Sequence, residues 1–150
     1  THAIRELDYL NMGPSYKDPV QDENYIKMNG RKIYNYALTN VPRAIKSCIE
    51  KSGLGIDDID KIFIHQANEK MDVAIGERLY ALFGKDEMPE DKMPMNISTA
   101  GNSSVATVPT LFDMVLRNEL PPHKVSSGDV VVMASVGAGM NINAFTYRVP

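Results

Sequence analysis

The chain has 150 residues, a formal net charge of −3 and 43% hydrophobic residues. That is enough apolar material for one packed domain and too little length for two comfortable ones. The acidic balance argues against a nucleic-acid binder built on a broad basic surface, and no apolar run approaches the roughly 20 residues of a membrane span.

The chain opens at Thr1 without a methionine and without a secretion signal, so a processed or truncated piece of a longer protein is expected. Its single cysteine, Cys48, excludes an intramolecular disulfide framework and points to a reducing, cytoplasmic setting. Residues 1–24, with Gly13, Pro14 and Pro19 among scattered charges, read as an irregular N-terminal arm; the folded domain is expected over 25–150. "NYIKMNG" alternates and stops at Asn29-Gly30, which suggests a short strand and a turn. From Arg31, the spacing of Ile33, Ala37, Ala44, Ile45, Cys48 and Ile49 predicts a helix, with a kink or restart at Pro42 and a left-handed stop at Gly53. "KIFI" at 61–64 reads as a buried strand, and 68–83 as a helix with Met71, Ala74, Ile75, Leu79 and Leu82 on one stripe. "MNIS" suggests another strand. After the Gly-Asn-Ser turn, Val105, Val108, Leu111, Phe112, Val115 and Leu116 outline a helical core face. "DVVVMASV" is the strongest strand signal, "GAGMN" a turn, and "INAFTYRV" a final alternating strand. The order β-α-β-α-β-α-β-β predicts an α/β fold with a mixed or mostly parallel β-sheet packed with helices.

Chemistry in such folds collects where strands end and helices begin. Three junctions qualify: His65-Gln66-Ala67-Asn68 after "KIFI", Gly101-Asn102-Ser103-Ser104 after "MNIS", and Gly137-Ala138-Gly139 after "DVVVMASV". His65 is either a histidine held by a backbone carbonyl at a strand end or a group that exchanges protons near neutral pH. Asn68 suits a capping duty, as do Ser103 and Ser104. Asn102 is left with a side-chain N–H that can aim where His65 aims. A neutral imidazole N–H beside an amide N–H makes a paired donor site for an oxygen that gains negative charge, as in an enolate or a tetrahedral intermediate. The "GAG" turn lacks the third glycine and the following helix of a dinucleotide site. It is a tight hairpin, or bare backbone that admits a substrate or donates an N–H. Cys48 lies on an apolar helical stripe and reads as core filling, not as a nucleophile. His2 and His123 are expected to be solvated. No His, Cys and carboxylate cluster has metal-ligand spacing.

Over about residues 25–149, "MNGRKIYNYAL", "IFIHQAN", "NISTAGNSSVATVP" and "VVVMASVGAGMN" follow one another as in the C-terminal half of the β-ketoacyl-acyl carrier protein synthase III family, of the thiolase-like superfamily, which the chain resembles. The resemblance implies a decarboxylative condensation of an acyl-CoA with malonyl-acyl carrier protein in fatty acid biosynthesis. His65 and Asn102 would stabilise the malonyl-derived enolate, with Asn68 and Gly101 as support. Gly137, Ala138 and Gly139 would form the oxyanion loop, and Gly30, Tyr34 and Ala67 would line the pantetheine tunnel. Lys70 and Arg78 would dock the acidic carrier protein. No cofactor is implied beyond coenzyme A and pantetheine thioesters as substrates. The acyl-holding cysteine belongs to an N-terminal half outside this sequence, so this chain alone is expected to be inactive, to expose an apolar face and self-associate, and to work as part of a homodimer. The alternatives are a non-catalytic thioester- or carrier-protein-binding module, or a related polyketide-type condensing enzyme.

Overall fold

The computed structural model describes residues 4–18, 20 and 23–150, which leaves His2 outside the description. A 3-10 segment, Ile4–Tyr9, leads into strand β1, Leu10–Pro14, which pairs antiparallel with β2, Asn24–Met28. The arm expected to be irregular therefore carries a 3-10 segment and half of a β-ribbon. Pro14 sits at the end of β1, where a missing N–H is tolerated, and Asn29 N–H closes the ribbon on Tyr9 O at 2.8 Å.

Helix α1 spans Gly30–Lys51, with Asn29 capping it by accepting from Lys32 N–H. Pro42 lies inside it, and α1 runs through that position as one element, without the restart that was one of the two expectations there. The reason is external. Pro42 has no N–H to offer Leu38 O, four residues earlier, and Arg78 Nη1 donates to that carbonyl instead at 3.1 Å. Gly53, at φ +74, ends the helix in the left-handed turn its position suggests.

Three strands form the central sheet in the order β3-β4-β5. β3, Lys61–Ile64, runs parallel to β4, Val130–Gly137, and β4 turns through Ala138–Met140 into antiparallel β5, Asn141–Arg148. One face, with Ile62, Ile64, Val130, Val132 and Ile142, packs on α1 and on α2, Glu69–Leu82. The other face, with Phe63, Val131 and Met133, packs on Leu111 and Val115 of α4, Thr107–Leu116. β3 is buried along its whole length because it has helices on both sides.

Two local expectations fail. "MNIS" does not form a strand: Ile97–Ala100 is a four-residue helix, α3, whose first turn closes on Asn96 O through Thr99 and Ala100 N–H. The stretch just before it runs beside the free edge of β3, with Ile62 N–H on Lys92 O, but Pro94 has no N–H to continue a ladder. Val105 is 93% exposed and Leu116 45% exposed, off the core face assigned to them. The 3-10 turn Ser104–Ala106 puts Val105 out of phase with α4. Pro109, in the first turn of α4, needs no intrahelical donor there.

Candidate active site

His65 leaves the end of β3 with its backbone N–H on Ala134 O at 2.9 Å, one further rung of the parallel ladder. Its ring is half-buried. Burial pushes the imidazole below its ordinary pKa, and a hydrogen bond to the Ser104 backbone opposes that shift in part. Burial thus favours the neutral ring, with the Ser104 backbone of the Gly101–Ser104 loop nearby.

Gly101 ends α3 at φ 64, ψ −163, a conformation that favours glycine. Asn102 is exposed, and its Oδ1 accepts from Ser104 N–H at 2.9 Å. With the oxygen committed to its own loop, the two amide hydrogens of Asn102 are the groups left to face a ligand. Ser103 and Ser104 do not cap the following helix with their side chains. Thr107 Oγ1 donates to Ser104 O, so Ser103 Oγ is the donor in the 3.2 Å Ser103–Thr107 hydroxyl pair.

The residue missed in the sequence is Gln66. It is completely buried; its Nε2 donates to Pro94 O at 2.9 Å and its Oε1 accepts from Asn96 N–H at 3.0 Å. The side-chain amide imitates a peptide and bridges the β3–α2 loop to the segment that leads into α3 and Asn102. A glutamine two places after four buried strand residues was the available signal, since a buried amide must find partners on both ends.

Asn68 caps α2 by accepting from Met71 N–H at 3.2 Å. Ala67 and Lys70 are exposed at the start of that helix. Gly30 and Tyr34 are also exposed; Gly30 opens onto a groove of about 320 Å³ with Asp8, Asn11, Tyr16 and Lys27, which neither Tyr34 nor Ala67 lines. Arg78, assigned to carrier docking, spends one nitrogen on Leu38 O and lies against α1.

The Gly137–Met140 turn closes the β4–β5 hairpin at the same end of the sheet as His65. Gly139 and Met140 take φ 71 and 55. Asn141 Nδ2 donates to Ala138 O at 3.2 Å, and Tyr36 of α1 donates its hydroxyl to Met140 O at 3.1 Å. Cys48 is half-buried on α1, and burial raises its thiol pKa, as befits packing and not nucleophilic attack. Among the described residues no group of three or more His, Cys, Asp or Glu could hold a metal ion, and no helix is long and apolar enough to cross a membrane.

The family model described as 3-oxoacyl-[acyl-carrier-protein (ACP)] synthase III C terminal matches residues 49–149. The beta-ketoacyl-[acyl-carrier-protein] synthase III of Lactobacillus delbrueckii subsp. bulgaricus is 35% identical over 149 residues, 98% of this chain and 43% of its own length. Among solved structures, the synthase III of Thermus thermophilus superposes with a TM-score of 0.83 at 26% identity, covering 100% of this chain and 44% of its own. That of Pseudomonas aeruginosa PAO1 gives a TM-score of 0.81 at 23% identity, covering 100% and 42%. The chain thus spans less than half the length of the relatives it matches, and its fold is the thiolase-like α/β fold expected from the sequence. On the match over residues 49–149, the chain belongs to the 3-oxoacyl-[acyl-carrier-protein] synthase III C-terminal family.

Proposed function

We propose that this chain is the C-terminal half of a condensing enzyme that joins an acyl-CoA to malonyl-acyl carrier protein in fatty acid biosynthesis. A cysteine of the N-terminal half takes the acyl group and releases coenzyme A. Malonyl thioester then loses CO2; the electrons of the broken C–C bond move into an enolate whose oxygen is held by His65 and Asn102. The enolate carbon attacks the acyl-cysteine carbonyl, the cysteine thiolate leaves, and a β-ketoacyl thioester results. Gly139 N–H serves the tetrahedral oxyanion at that carbonyl, between Gly137 and Ala138 on one side and the buried Met140 on the other. Coenzyme A and pantetheine thioesters are substrates, and no resident cofactor is required.

What supports this is the placement of His65 at the end of β3, where burial favours its neutral ring, together with Asn102, whose Oδ1 is taken by Ser104 N–H so that its amide hydrogens are left for a ligand. The N-terminal half would pack on the second sheet face, where Phe145, Tyr147 and Leu116 remain 55%, 39% and 45% exposed beside α4. Lys70 meets the acidic carrier protein, Gly30, Tyr34 and Ala67 contribute to the pantetheine path, and the complete enzyme is a cytoplasmic homodimer. The test is the intact mass of the natural polypeptide after incubation with an acyl-CoA. A chain of about twice this length that gains one acyl group supports the reading. A natural chain beginning near Thr1 that gains none overturns it and favours a binding module.

A further inference from the structure

The Gly137–Met140 turn is anchored at two carbonyls. The Asn141 amide holds Ala138 O, within the turn itself. Because a trans peptide points its N–H opposite its C=O, that bond fixes the direction of Gly139 N–H. The second anchor comes from far away in sequence: Tyr36, on the second turn of α1, donates to Met140 O. Met140 holds the left-handed φ of 55, an uncommon state for a residue with a side chain, and is 1% exposed. Leu7 Cδ2 lies near the turn, 3.7 Å from where a Gly139 Cβ would stand. The strained turn is therefore bound to α1 through the Tyr36 hydroxyl.

We propose that Tyr36 is a positioning residue: its hydroxyl locks the Met140 peptide, and with it the Gly137–Met140 turn, in the orientation that presents Gly139 N–H. The use made of that N–H rests on the function proposed above; the anchoring itself does not. Burial and the nearby Glu6 carboxylate raise the Tyr36 pKa, so the hydroxyl stays a donor across the neutral range. Phenylalanine at this position keeps the ring and removes only the donor.

The test is Tyr36→Phe in the complete natural polypeptide, with three readouts. Hydrogen exchange at the Gly139 and Met140 amides accelerates by about two- to tenfold if the hydroxyl holds the turn, since a single hydrogen bond contributes about that factor. Acyl transfer from acyl-CoA to the enzyme slows by a similar factor, while decarboxylation of malonyl thioester, which draws on His65 and Asn102, changes less than twofold. Unchanged exchange overturns the proposal. So does acyl transfer at the parental rate, or a loss shared equally by both half-reactions, which would signal general damage. If the parent enzyme catalyses neither half-reaction, the condensing-enzyme reading fails, and the anchoring role stands or falls on exchange alone.

Discussion

Replacing Gln66 with leucine keeps the volume of a fully buried side chain and removes both ends of its amide. Pro94 O loses its 2.9 Å donor and Asn96 N–H loses its 3.0 Å acceptor. Pro94 and Asn96 are themselves buried, so water cannot replace either partner without opening the loop. An orphaned buried group costs about 1–3 kcal/mol. Two of them, less the gain from an apolar side chain in an apolar site, give about 2–4 kcal/mol. With a urea slope of about 2 kcal/mol per molar, the unfolding midpoint should fall by about 1–2 M, followed by circular dichroism. Gln66→Glu sharpens the test. Its carboxylate still accepts from Asn96 N–H, but it sets a negative oxygen against Pro94 O. Its folded pKa is then raised, so the penalty is absent at low pH, where the protonated acid can donate, and grows as pH rises through the folded pKa. A leucine variant with an unchanged midpoint, or a glutamate variant insensitive to pH, would refute the bridging role of Gln66.

Arg78→Met should destabilise by about 1–2 kcal/mol by leaving Leu38 O without a donor. In the same background Pro42→Ala should recover most of that loss, which a double-mutant cycle reads directly. Asp72 is fully buried, its carboxylate oxygens make no close hydrogen bond among the described residues, and burial raises its pKa to about 7 from 3.8, a shift that the more distant Asn68 and Ala67 backbone N–H groups oppose only in part. A carboxyl whose folded pKa is raised costs nothing below its unfolded pKa and destabilises progressively as pH rises through the folded value. At roughly 1.36 kcal/mol per unit the cost is on the order of 4 kcal/mol above pH 7. Asp72→Asn should therefore gain stability at pH 8 and little at pH 4, and denaturant titration at the two pH values checks this. The His65 ring should titrate below its ordinary 6.5 by NMR, and a value at or above that would remove the case for a neutral imidazole.

Much of the frame was readable because a few strong patterns act locally. The β-branched run Val130–Val132 and the four-residue "KIFI" fit only a strand covered on both faces, and the stripe from Met71 to Leu79 fits only a one-sided helix. What escaped depends on partners distant in sequence. Nothing near Pro42 announces that Arg78 will satisfy Leu38 O. Nothing in "MNIS" reveals that the amide of Gln66 already takes up the Asn96 N–H. β1 lacks alternation and exists only through its register with β2. In the site, His65, Asn68 and Asn102 were visible as polar residues at junctions. Gln66 and Tyr36 were hidden because their roles lie in bonds to Pro94, Asn96 and Met140.

The most direct measurement is malonyl thioester decarboxylation by the complete natural polypeptide carrying His65→Ala, Asn102→Ala or both. If the two side chains hold one enolate oxygen, each single variant should lose about 100- to 1,000-fold in kcat. The double variant should then lose far less than the product of the two. Parental rates in either single variant, or losses that simply multiply, would contradict a shared oxygen and with it the proposed site.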